Sequence, residues 1–254
     1  MAAPGILARF ALIEARRGGL PWLVLASVVV VLGIAGFLSQ VAVTESLQLQ
    51  ASITAALLRA CAVFLVAIHV VTSMVRESGD KGLDLILSLP VSRSQYYLGK
   101  LLGYAGCGAA ISVCFALPLF IWCPPLAVAL WWLSLLAETV MVAAISLFFV
   151  TTLAQVVPAI SATAGLYLLA RAIGGIQAIA GGPLAAETWS QAGARWIVDA
   201  IALLLPRLEA ATRAEWLIYG LPGWREIAGP LVGLALYAAL ASAAGLFDFH
   251  RRNL

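Results

Sequence analysis

Six apolar stretches constrain this chain more than any other feature, because a helix of about 20 apolar residues crosses the roughly 30 Å hydrocarbon core of a bilayer. They run over Leu20 to Val43, Ala55 to Val75, Leu101 to Trp122, Leu126 to Val150, Val156 to Ile179 and Ala228 to Phe247. Continuous runs favour helices over a barrel, whose strands alternate lipid-facing and lumen-facing residues over about ten positions. Composition agrees. Only 11% of the 254 residues are charged, against roughly 25% in a soluble domain, and the mean hydropathy is +1.02. The expected class is an all-α, multi-pass membrane protein with six transmembrane helices. The first run begins near Leu20 and is too long for a signal-peptide core of roughly 7 to 15 residues, so it is expected to stay as the first span.

The positions of Lys and Arg near the span ends set the expected orientation. One group comprises Arg9, Arg16 and Arg17 near the N-terminus, Arg76, Lys81, Arg93 and Lys100 after the second span, and Arg251 and Arg252 at the C-terminus. The short opposite loops, Thr44 to Thr54 and Cys123 to Pro125, carry none, and Arg59 lies just inside the second span. Arg195, Arg207, Arg213 and Arg225 fall in a long loop, where the rule weighs less. Both termini and the Arg76–Lys100 stretch are therefore assigned to the cytoplasm. The net charge of +3 is thereby explained by topology, and no nucleic-acid partner is called for.

The whole chain, 1–254, reads as one transmembrane domain. Residues 1–19 hold Ile6, Leu7, Phe10 and Ile13 on one helical face with Arg9, Glu14, Arg16 and Arg17 largely off it; an N-terminal interfacial helix or a simple topogenic flank both fit. The WCPP turn at Trp122 to Pro125 makes a hairpin of the third and fourth spans, and the uncharged Thr151 to Pro158 joins the fourth to the fifth. Residues 180–227 form the long external loop. Its RWIVDAIALLLP segment is too short to span and carries Asp199, which suits a re-entrant or surface-lying helix. Trp189, Trp196, Trp216, Tyr219 and Trp224 are expected at headgroup level.

Catalytic signatures are missing. Gly99-Lys100 is followed by Leu101, where a phosphate-binding loop needs Ser or Thr, and neither HExxH nor GxSxG occurs. The four cysteines, Cys61, Cys107, Cys114 and Cys123, have no CxxC spacing. His69 and His250 lie at different depths, which makes a shared haem iron awkward. Charges inside spans are costly and face partners or cavities. Glu138 lies mid-way along the fourth span, Arg171 in the outer half of the fifth and Arg59 at the outer end of the second. Glu138 and Arg171 differ in depth by about 6 Å, so they suit either the polar lining of a substrate path or a structural ion pair. Gly99, Gly103 and Cys107 recur every four residues, allowing a neighbouring helix to approach closely.

The stretch RESGDKGLDLILSLPVSRSQYYLGK, Arg76 to Lys100, interrupts the apolar pattern. Within it Gly82 to Leu89 reads as a short helix, capped by Asp80, with Leu83, Ile86 and Leu87 on one side and Asp84 and Ser88 on the other. Pro90 ends it and Ser92 caps the next helix, which runs through Tyr96 and Tyr97. A short helix with one apolar side, held between two spans, suits docking in a groove of another protein.

These residues resemble the permease subunits of ABC-2-type transporters, including those of the multi-copper enzyme maturation type. Such permeases carry an acidic residue, a pattern like GTLELLLSLPVSR and a GK pair at this place; here Glu77, Leu83 to Arg93 and Gly99-Lys100 correspond, with Lys81-Gly82 where Gly-Thr is usual. Ala202 to Gly220, ALLLPRLEAATRAEWLIYG, is similar to their last external segment, and FDFHRRNL to their basic ending.

The resemblance implies an ABC-2 (type V exporter-like) permease fold in a bacterial cytoplasmic (inner) membrane. It also implies a pair of permeases, identical or related, working with two copies of a cytoplasmic ATPase that holds ATP and Mg, so that this chain is itself non-catalytic and without a cofactor. The residues it assigns to coupling are Glu77, Gly82, Leu83, Asp84, Ile86, Leu87, Pro90 and Arg93, with Glu138, Arg171, Arg59 and His69 as intramembrane polar candidates. Two other classes compete with it. One is a membrane electron carrier holding a cofactor through His69, His250 or the cysteines; the other is an ABC-like complex that transports nothing and passes mechanical signals to a periplasmic partner.

Overall fold

A computed structural model describes residues 3–41, 46–79, 92–180, 189–218, 220 and 223–251. Among the described residues all regular structure is helical. The elements are α1 (Ala3–Arg17), α2 (Leu20–Val41), α3 (Ser46–Gly79), α4 (Arg93–Ala116) with a 3-10 extension over Leu117–Ile121, α5 (Pro125–Leu153), α6 (Val156–Ala180), α7 (Trp189–Leu204), α8 (Leu208–Ala211), a 3-10 turn over Ala214–Leu217, and α9 (Trp224–Arg251). Six of them, α2, α3, α4 with its extension, α5, α6 and α9, are long and apolar enough to cross a membrane. The chain is thus a multi-pass helical membrane protein.

Helix α5 is the axis of the bundle, packing against α3, α4, α6 and α9. In its most apolar window 67% of residues are enclosed, against 17% in α2 and in α9. A helix apolar all round is a buried one, and Val128, Trp131, Leu135, Met141, Val142 and Leu147 of α5 are all completely covered. Trp22, Val29, Val30 and Phe37 of α2 and Leu236 and Leu240 of α9 instead face outward, as lipid-facing side chains do.

Both described ends of the chain meet at one end of the bundle, together with the helix ends that flank 80–91 and the turn between α5 and α6. Phe249 of α9 stacks on Tyr96 of α4 with ring centroids 5.8 Å apart, Thr152 donates to Asp248 at 2.9 Å, and the Arg93 guanidinium donates to the His250 carbonyl at 3.4 Å. The Tyr97 hydroxyl reaches so far toward α9 that any Cβ at Gly245 would collide with it. The α5–α6 turn is very tight, with Ala154 at φ 55° closing α5 on the Val150 carbonyl.

Two expectations need correction. The second span starts far earlier than Ala55: α3 begins at Ser46, so Arg59 sits more than three turns inside it. Gln48, Gln50, Ser52 and Thr54 lower the hydropathy of that first part, yet Gln50 is buried and its side-chain amide donates to the Ala35 carbonyl of α2 at 2.8 Å. Helix α1 forms over Ala3–Arg17 with three of its four apolar residues on an outward side, which suits the interfacial alternative. Ala11 and Ala15 are buried and Leu7 is partly covered, whereas Ile6, Phe10 and Ile13 point away from the bundle. The reason is α4, whose glycines admit only the small side of α1. A Cβ at Gly99 would lie 2.8 Å from Leu7 Cβ and one at Gly103 only 2.6 Å from Ala11 Cβ. The contacts advance in step along both helices, so α1 lies lengthwise on α4.

The second correction concerns the long loop. Helix α7 is 16 residues long, about 24 Å, and folds back on α6 with Trp196, Leu203 and Leu204 exposed. The segment after it turns into the bundle. Leu208, Ala211, Thr212, Trp216 and Leu217 are buried there, so Trp216 is a core residue and not part of a headgroup belt; Tyr219 and the side chains of Trp189 and Trp224 lie outside the described set.

Candidate functional site

Two polar clusters stand out from the apolar packing. The first lies mid-bundle. Glu138, about half-way along α5, is fully buried, and both of its oxygens are engaged. Oε2 pairs with Arg59 Nη1 of α3 at 2.5 Å, and Oε1 accepts from the Tyr167 hydroxyl of α6 at 2.9 Å. Arg59 also donates through Nη2 to Ser134 Oγ at 2.9 Å and lies over the Trp131 ring at 5.0 Å, a cation–π placement. Arg171 of α6 stands 3.9 Å from Glu138 Oε1 with 38% of its side chain exposed. Its guanidinium donates instead to the Thr212 hydroxyl, which in turn donates to the Leu208 carbonyl at 2.6 Å.

The structure therefore brings Arg59, Glu138 and Arg171 together, but with a different primary pair from the expected one. Glu138 and Arg171 come from consecutive spans and were the natural pair to look for. Arg59 reaches Glu138 more closely only because α3 is longer at its start than hydropathy indicates. Tyr167, Ser134, Trp131 and Thr212 were not foreseen. A residue that keeps an intramembrane arginine satisfied is an ordinary Ser, Tyr or Trp in the sequence, with nothing to mark it until the helices are packed.

The second cluster occupies the end of the bundle where the chain ends meet. Glu77, in the last turn of α3, pairs with the buried Lys100 of α4. One turn deeper, the Tyr104 hydroxyl donates to Ser73 Oγ at 3.0 Å, and Ser73 donates to the Glu14 carboxylate of α1 at 2.8 Å. His69 packs edge-on against Tyr104 with centroids 5.9 Å apart, and its Nε2 is buried without a hydrogen-bond partner. His69 is thus remote from the Arg59 cluster, ten residues along the same helix, about 15 Å.

These ties frame residues 80–91. Glu77–Lys100 holds the outgoing and returning helices together just inside that segment. Ser92 then starts α4 with a complete capping box: its side chain accepts from Gln95 N at 3.3 Å, and the Gln95 side chain accepts from Ser92 N at 3.2 Å. The predicted cap at Ser92 is borne out. Arg93 is held near His250. Gly82, Leu83, Asp84, Ile86, Leu87 and Pro90, with Asp80 as the expected cap, lie outside the described residues.

No three His, Cys, Asp or Glu side chains among the described residues converge on a common point. The four cysteines are free, with Cys107 and Cys123 buried and Cys114 exposed. Comparison of the sequence with known protein families, and with characterised proteins, finds no match in either.

Proposed function

We propose that this chain is the membrane permease subunit of an ATP-binding cassette transporter of the ABC-2 type. In this reading two permease copies, identical or related, form the substrate pathway in a bacterial cytoplasmic membrane, with both termini in the cytoplasm. Two copies of a separate cytoplasmic ATPase hold ATP and Mg and drive export. Residues 80–91 dock on that ATPase through Leu83, Ile86 and Leu87.

The observation that carries the reading is the mounting of the GLDLILSLPVSR segment. It leaves from one long helix and returns to another, and the two are tied at its root by Glu77–Lys100 and restarted by the Ser92–Gln95 box. A docking helix on a loose tether would dissipate a push; one whose roots are fixed passes it to α3 and α4. The mechanism that follows is mechanical. Closure of the paired ATPases on ATP moves the docked segment, α3 and α4 follow, and the permease pair opens outward. Linkage makes the equilibrium couplings reciprocal, so a substrate favouring one permease state shifts nucleotide affinity by the same factor.

The test is co-purification. Leu83→Asp together with Leu87→Asp puts two carboxylates on the docking side, where unpaired charge is expensive to bury. Membrane insertion should be unchanged while an ATPase subunit that accompanies the wild-type chain is lost. An ATPase retained by the double variant, or no ATPase accompanying the wild type, overturns the proposal.

A further inference from the structure

We propose that the cleft between α1, α2 and α3 binds the headgroup of a phospholipid that carries a primary ammonium and a phosphate, with Glu14 taking the ammonium and Arg76 the phosphate. The cleft has a volume of about 90 Å³ and is walled by Glu14, Gly18, Leu20, Leu23, Leu65, Ile68, His69, Thr72, Ser73 and Arg76. Its walls divide by chemistry. His69, Ser73 and Arg76 follow one another at helical spacing along one stripe of α3 and face Glu14 of α1, while Leu20, Leu23, Leu65 and Ile68 supply an apolar side.

Among the described residues neither charge has a counterion. Glu14 accepts only from the Ser73 hydroxyl at 2.8 Å and makes no ion pair among the described residues; Arg76 is exposed and likewise makes none. One unpaired carboxylate and one unpaired guanidinium on a single cleft complement a zwitterion. His69, whose Nε2 is buried and unpartnered, lines the same wall. An ammonium brings three N–H donors to the Glu14 carboxylate, whereas a trimethylated headgroup has no N–H to offer.

Depth favours a lipid over a free solute. Helix α2 has 22 residues, about 33 Å, close to the hydrocarbon thickness of a bilayer. Its first residues, Leu20 and Leu23, therefore mark the edge of that layer, and they line this cleft. The polar part then lies at headgroup level and the leucine side continues into the acyl region. The enclosed volume takes a small amine and leaves the phosphate at the mouth, beside Arg76.

The experiment uses the full chain in detergent with phosphatidylethanolamine, phosphatidylcholine or phosphatidylglycerol of identical acyl chains, read by native mass spectrometry and by the thermal midpoint. One phosphatidylethanolamine per chain should bind at least about 10-fold more tightly than either other lipid and raise the midpoint. Glu14→Gln keeps an acceptor for Ser73 and should lose that preference. Arg76→Gln, at an exposed position, should weaken phosphatidylethanolamine and phosphatidylglycerol alike. Equal binding of the ethanolamine and choline lipids, or a preference that survives Glu14→Gln, overturns the proposal. Should Glu14→Gln fail to fold, unchanged phosphatidylethanolamine binding by Arg76→Gln overturns it as well.

Discussion

Arg59–Glu138 and Glu77–Lys100 join α3 to its neighbours by the same chemistry, but they sit in opposite settings. The first is sealed: Glu138 and Arg59 are almost wholly enclosed, and a hydroxyl from each of two helices and an indole face complete their coordination. The second lies two residues from the end of α3, next to the segment assigned to docking, and Glu77 keeps 14% of its side chain exposed. A sealed pair can only fasten, because separating it strands charge in a low-dielectric interior. The pair at the helix end is less completely enclosed, but only on the Glu77 side, since Lys100 is buried. Position along one helix, not residue type, separates a tie deep in the bundle from one that roots the segment 80–91.

The strongest challenge to this contrast is Glu138→Gln. It leaves Arg59 buried without a counterion, and a loss of about 3–5 kcal/mol of stability is expected, read by unfolding of the detergent-solubilised protein. Replacing both partners, Arg59→Met with Glu138→Leu, should recover most of that loss. A single variant as stable as wild type would remove the fastening role. Glu77→Gln should cost less, about 1.5–3 kcal/mol, the range for one hydrogen bond to a charged group. Under the proposed coupling role its larger consequence should be functional: the proposed ATPase partner still binds, while its ATP hydrolysis loses the response to this chain.

Gly103→Leu tests whether α1 belongs to the same fixed end. Its Cβ would meet Ala11 Cβ at 2.6 Å, so overpacking of about 1–3 kcal/mol is expected, with loss of cross-linking between cysteines placed at positions 12 and 106. The smallest effect is reserved for Arg171→Gln. That side chain is partly exposed and 3.9 Å from Glu138, and exposed pairs contribute about 0–1 kcal/mol. A penalty as large as that of Glu138→Gln would make Arg171 an equal member of the sealed cluster and blur the distinction.

Much of the architecture is legible in the sequence because hydrocarbon thickness dictates helix length: all six spans are found, as are the WCPP hairpin, the charge-free α5–α6 turn, the short non-spanning helix and the Ser92 cap. What escapes is set by packing. Gln48 to Thr54 look like a loop to any measure of greasiness, although Gln50 turns inward and is satisfied by a carbonyl. The glycines of α4 advertise a close approach without saying whose, and the visitor is α1. Leu208 to Leu217 carry loop chemistry yet fill the bundle, because Arg171 and the α3–α5–α6 crevice receive them. Glu138 and Arg171 are conspicuous from hydropathy alone, whereas the identity of the closest cation depends on where α3 starts.

Helix α3 contains no proline, and its only glycine is the last residue, Gly79. The other spanning helices, α5 excepted, carry a glycine or an internal proline well within their length. Across its 34 residues, about 51 Å, α3 meets α2 through Gln50, α5 through Arg59, α1 through Ser73 and α4 through Glu77. An unbroken rod of that length has no joint at which to absorb a tilt. Whatever displaces the end beside Glu77 must be felt at Leu47, where a cleft of about 410 Å³ opens among Trp122, Cys123 and Trp216 on the far side of the bundle. A displacement applied at one surface therefore meets no glycine or proline hinge within α3 before it reaches the other.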